Sequence, residues 1–118
     1  MQSNFGKYIR QLRESHRRQD PSFSVRKVAA RIGVQPSFLS KVEREEQTPP
    51  SEAKIIALAG VLEEDPDVLL ALAGKVSMDL QQAIMERPRL FAKLIRELKN
   101  ASDKKLESVV REVRDGRW

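Results

Sequence analysis

A chain of 118 residues, 40% apolar and 33% charged, is long enough for one compact domain with an appendage or for two very small units. It has no cysteine, which excludes disulfides and zinc–thiolate sites. No apolar run approaches the roughly 20 residues that span a bilayer, and the polar opening Met1-Gln2-Ser3-Asn4 lacks a signal-peptide core, so a cytoplasmic protein without membrane contact is expected. The net charge of +5 is unevenly placed. Residues 1–60 carry 11 Lys and Arg against 6 Asp and Glu, whereas residues 61–118 carry 11 against 11. That split is expected of an N-terminal nucleic-acid module and a neutral C-terminal part with another task.

Sustained period-2 alternation is missing, and Asp115-Gly116 sits at the tail rather than between apolar runs, so the expected class is all-α. A first helix is expected over residues 4–15, with Phe5, Ile9 and Leu12 as its buried stripe. Arg17 to Ser22 has no periodicity and contains Pro21, which reads as a loop.

Residues 24–44 carry the most information and read as a helix-turn-helix. Val25, Val28, Ala29 and Ile32 form an i, i+3, i+4, i+7 stripe. Gly33 follows where a chain leaving a helix takes positive φ, and Val34 is placed to plug the corner. Pro36 suits a first helical position, because its missing N–H would be unpaired there anyway. Leu39 and Val42 face inward, leaving Gln35, Ser37, Phe38, Ser40 and Lys41 on other faces.

The breaker Gln47-Thr48-Pro49-Pro50 leads to Ser51, an N-cap for a helix holding Ile55, Leu58, Ala59 and Leu62. Asp65-Pro66 opens a fifth helix through Leu69, Leu70 and Leu72 to a stop at Gly74. Residues 1–74 thus form a five-helix domain. Over residues 75–118, Ser77 is placed to cap a helix with Leu80, Ala83 and Ile84 that ends near Arg87-Pro88. Pro88 begins one with Phe91, Leu94, Ile95 and Leu98, and Ser102-Asp103 one with Leu106, Val109, Val110 and Val113. A unit of about 40 residues buries too little surface to stand alone. It packs on the first domain or on another copy, and the self-sufficiency of the five-helix unit favours another copy.

Position on the second helix of the motif makes Gln35, Ser37 and Lys41 candidates for base edges, since Gln pairs with adenine N6/N7 and Lys reaches guanine O6/N7. Phe38 either packs on a thymine methyl or is partly buried. Arg26, Lys27, Ser40 and Arg44 are assigned to phosphates, which set register without reading sequence. No catalytic site and no cofactor are expected. His16 is a lone histidine near the end of the first helix and reads as a surface residue, and Ser40-Lys41 point about 100° apart on a helix.

Leu12-Arg13-Glu14, Ala29 to Val34, Leu39-Ser40, Glu43, Pro50-Ser51 and Ile55 to Leu62 together resemble the Cro/C1-type (XRE) helix-turn-helix family over roughly residues 5–74. The resemblance implies a lambda-repressor-like fold and DNA binding. It also implies a buried structural ion pair between Arg13 and Glu43, which occupy the family's two positions for it. The chain departs from the pattern in three places. Val25 replaces the usual phosphate-holding glutamine. Glu45 replaces the glycine after the Glu-Arg pair, and with Glu46 it puts negative charge where relatives carry basic residues. The loop after the first helix is longer, so that Arg17 and Arg18 supply a backbone contact.

The whole chain, through the tail Val110 to Trp118, is similar to small repressors encoded beside ImmA/IrrE-type zinc metallopeptidases, including those that control anti-phage (CBASS) operons. That resemblance implies a homodimer joined through its C-terminal part, and the apolar stripes supply the device: Phe91, Leu94, Ile95 and Leu98 would meet Leu106, Val109, Val110 and Val113 across or within protomers. It further implies a partner peptidase cutting the C-terminal region, with Gly74 to Ser77 and Met85 to Pro88 as candidate connectors. The alternative is an antitoxin or adaptor whose C-terminal helices mask a partner protein.

Overall fold

Side chains that replace missing backbone hydrogen bonds set several of the helix starts. The structure is a computed structural model that describes residues 4–116; Arg117 and Trp118, which end the tail named above, lie outside the described residues. It contains α1 (Phe5–Arg17), a 3-10 turn (Pro21–Phe23), α2 (Val25–Ile32), α3 (Pro36–Glu43), α4 (Glu52–Leu62), α5 (Pro66–Leu72), α6 (Met78–Glu86), α7 (Pro88–Leu98) and α8 (Asp103–Asp115), with no strand among the described residues. Ser24, Ser51, Asp65 and Ser102 each accept a backbone N–H at the start of α2, α4, α5 and α8. Pro36, Pro66 and Pro88 occupy the first turn of α3, α5 and α7.

The segment after α1 differs from the expected loop. Helix α1 continues to Arg17, whose charge lies where the helix dipole favours cations. Asp20 then accepts the Ser22 N–H at 2.9 Å and, with Pro21, nucleates the 3-10 turn.

The chain divides into two units, Met1–Ser77 and Met78–Trp118. In the first unit, Phe5 and Ile9 of α1, Val28, Ala29 and Ile32 of α2, and Leu39 and Val42 of α3 meet Ile55, Leu58, Ala59 and Leu62 of α4 and Leu69 and Leu70 of α5. None of these is more than 4% exposed. Leu12 is only half-buried, because the inward line of α1 runs from Ile9 to Arg13 instead.

Two polar contacts bind α1 to the C-terminal end of α4. His16 Nε2 lies 2.9 Å from the Leu62 carbonyl, and the Tyr8 hydroxyl donates to Glu64. The second contact makes stability depend on pH at both ends of the scale. Tyr8's hydrogen bond holds the Glu64 carboxyl below its ordinary range, helped by the Asp65 N–H, and the same bond raises the Tyr8 phenol. A lowered carboxyl adds stability that is lost as pH falls through its folded pKa; a raised phenol adds stability that is lost as pH rises through its own. Urea midpoints of wild type and Tyr8→Phe are therefore expected to differ most near neutrality and to converge in acid and in strong base. A difference independent of pH would contradict this.

In the second unit, α6 packs beside α7, and Gly116, at φ +70°, closes α8. No side chain of α6, α7 or α8 is buried. Leu90 is 65% exposed, Ile95 55% and Val113 63%. No helix among the described residues is long and apolar enough to cross a membrane.

Candidate nucleic-acid interface

The turn between α2 and α3 is built by one residue's backbone freedom. Gly33 sits at φ +74°, and behind it the Val34 N–H reaches back to the Ala29 carbonyl at 3.0 Å. This paired closure redirects the chain without burying an unpaired carbonyl. Val34 is half-buried against the core. The N-cap Gln35 makes no side-chain capping bond, so its amide is not used in holding the helix. Along α3, Leu39, Val42 and Glu43 are buried. At about 100° per residue the opposite line is Ser37, Lys41 and Arg44, and all three are exposed.

The inner side of α3 is held to α1 by charge. Arg13 is 2% exposed and Glu43 6%. Arg13 Nε donates to Glu43 Oε2 at 2.7 Å and Nη2 to Oε1 at 2.8 Å, a bidentate pair. Nη1 donates to the Phe23 carbonyl and Nη2 also to Glu14, both at 3.2 Å. The hydrogen bonds to Glu43 raise the Arg13 pKa further, so the guanidinium stays charged.

Residues 4–72 match the model of the helix-turn-helix domain family. The chain belongs to that family. Membership supports a DNA-binding regulator. No curated protein matches the chain. Among solved structures it is similar to a chain of the SinR protein/SinI protein complex, at 21% identity and a TM-score of 0.49, over 96% of this chain and 99% of that one.

On the helix-turn-helix, Gln35, Ser37 and Lys41 are exposed on or beside α3. Phe38 is half-buried and packs against the core. Arg44 bonds both Ser40 and Glu46, so the two residues assigned to phosphates are joined to each other. Arg26 and Lys27 are exposed in the first turn of α2. Arg17 and Arg18 are exposed at the end of α1, ahead of the 3-10 turn.

Three features of the first unit were not legible in the sequence. His16 is not a plain surface histidine: it stacks on Phe23 with centroids 4.6 Å apart and planes at 16°. Arg31 lies over the same Phe23 ring, 5.2 Å from its centre, in a cation–π contact. At the end of α3, Glu45 stands at φ +61° and sends its carboxylate to the N-terminus of α1. Among the described residues, no three His, Asp or Glu side chains gather to hold a metal ion.

On the second unit, Phe91, Leu98 and Val109 are half-buried, whereas Leu94, Ile95, Leu106, Val110 and Val113 are exposed. Leu90 and Met85 are exposed as well, and the apolar stripes read from the sequence did not include them.

Proposed function

We propose that this helix-turn-helix protein is a transcriptional repressor that binds a palindromic operator as a dimer. The observation that carries this is the exposed line Ser37, Lys41 and Arg44, the last held by Ser40 and Glu46, on a helix whose opposite side is locked by a buried ion pair. A short helix with small and hydrogen-bonding side chains outward suits the major groove, and Arg26 and Lys27 suit the flanking phosphates. The excess positive charge of residues 1–60 supports the same reading. Because one such helix reads few base pairs, two copies are needed to span half-sites about 34 Å apart. The exposed Leu94, Ile95, Val110 and Val113 supply the apolar surface for that second copy.

The regulated target is the protein's own or an adjacent defence operon. Relief comes from a zinc metallopeptidase of the ImmA/IrrE type that cuts the C-terminal region, or from another partner. This part rests on the sequence resemblance alone. The protein works in the cytoplasm, as a non-enzymatic regulator without a cofactor. The exposed apolar side chains of α7 and α8 also suit an antitoxin or adaptor that covers a foreign chain, with DNA binding kept for autoregulation.

Fluorescence anisotropy with the duplex upstream of the protein's own gene, and with a scrambled duplex, tests the DNA reading across a salt series. Lys41→Ala is expected to weaken the first complex by roughly 5- to 100-fold, the value of one base contact. Arg26→Ala and Lys27→Ala are expected to weaken both complexes alike, each lowering the log–log salt slope by about 1. Equal affinity of the wild type for the two duplexes would contradict sequence-specific binding.

A further inference from the structure

The chain leaves α3 through a residue whose backbone favours glycine. Glu45 lies at φ +61°. Its N–H bonds the Val42 carbonyl at 3.1 Å and the next N–H, of Glu46, bonds Lys41 at 2.8 Å, a closure usually built on glycine. The side chain supplies what offsets that preference. Glu45 Oε1 accepts the Gly6 N–H at 3.0 Å and the Lys7 N–H at 3.3 Å, two of the donors that a helix start leaves unpaired.

At the start of α1, Asn4 makes no side-chain capping bond, and the first turn holds no acidic residue. The carboxylate of Glu45 provides both the acceptor and the negative charge that this end favours. Gly6 makes the approach possible, since a Cβ there would stand 2.1 Å from the Val42 carbonyl oxygen.

We infer that Glu45 is a positioning residue for base reading: its carboxylate fastens the last turn of α3 to the start of α1 and so fixes where Lys41 and Arg44 meet DNA. The inference rests on the DNA-binding reading above. A free carboxylate at this place would do the opposite and repel phosphates, so the two roles differ in sign.

The test uses the full chain, a duplex that the wild type enriches from a random pool, and a scrambled duplex of equal length. Glu45→Gly keeps the backbone free to take positive φ and removes the carboxylate. It is expected to lower the ratio of specific to non-specific affinity about tenfold, the size of one misplaced base contact, while the unfolding midpoint moves by only a few degrees. Glu45→Asn tolerates the same backbone but falls a methylene short of α1. It is expected to lower the ratio likewise, and it carries the test if the glycine variant folds poorly. Glu45→Gln keeps an acceptor oxygen at the same reach and is expected to hold the ratio near wild type. An unchanged ratio in Glu45→Gly and Glu45→Asn, with or without tighter binding to both duplexes, would overturn the inference. If the wild type enriches no sequence, the DNA-binding reading itself fails, and the inference with it.

Discussion

Glu43→Ala is expected to destabilise the N-terminal unit by about 3–5 kcal/mol, because it leaves a buried guanidinium with a charge and no full partner. Arg13 would retain only the Phe23 carbonyl and Glu14, both at 3.2 Å, in place of the bidentate contact at 2.7 and 2.8 Å. Against a total stability of roughly 5–15 kcal/mol for a small domain, that loss brings the variant close to unfolding near body temperature. The double variant Arg13→Met with Glu43→Leu removes both charges and is expected to recover much of the loss, since paired charges in a core add little net stability over apolar groups of similar size. Urea unfolding of the two single variants and the double one measures the coupling directly. A cost below about 1 kcal/mol for Glu43→Ala, the range of an exposed pair, would show that solvent reaches this contact.

The second large effect is expected at Gly6. A methyl group there would sit 2.1 Å from the Val42 carbonyl oxygen and 3.1 Å from that of Glu43, both backbone atoms that cannot swing aside. Gly6→Ala must therefore separate α1 from the end of α3, at a cost of roughly 1–3 kcal/mol or more, as for overpacking in a core. The separation also stretches the bonds from Gly6 and Lys7 to Glu45. Gly60→Ala makes the opposite case with the same chemistry. Apart from the adjoining backbone of α4 itself, nothing lies within 4 Å of a Cβ at Gly60, which is exposed inside α4, so alanine is expected to stabilise by up to about 1 kcal/mol through helix propensity. Urea midpoints at unchanged m-value would compare the pair. Equal tolerance of both substitutions would mean that α1 and α3 are not held as closely as described.

Helix existence and most helix starts were legible because they depend on local chemistry. Ser51, Asp65 and Ser102 cap where a short hydrogen-bonding side chain precedes an apolar stripe. Gly33 and Gly74 take positive φ just past α2 and α5. What local pattern could not carry were contacts between residues far apart in the chain. Glu45 reads as an unhelpful charge until the Gly6 N–H in the first turn of α1, 39 positions away in sequence, is seen to donate to its carboxylate. His16 reads as a surface residue until the Leu62 carbonyl, 46 positions on, comes within hydrogen-bonding distance. Leu12 looks like core because periodicity cannot tell an apolar residue from its neighbour Arg13 when the arginine has a buried carboxylate waiting.

Light scattering on the full chain and on Ile95→Asp, each followed by binding to the DNA upstream of the protein's own gene, tests the dimeric repressor most directly. Ile95 is exposed on α7, so the substitution leaves the core of the first unit untouched. The full chain is expected to be a dimer that binds tightly, and Ile95→Asp a monomer whose affinity is lower by about 10²–10⁴, the gain that linking two half-site contacts supplies. Two monomers of equal affinity would contradict the account and favour a foreign chain as the occupant of the C-terminal helices.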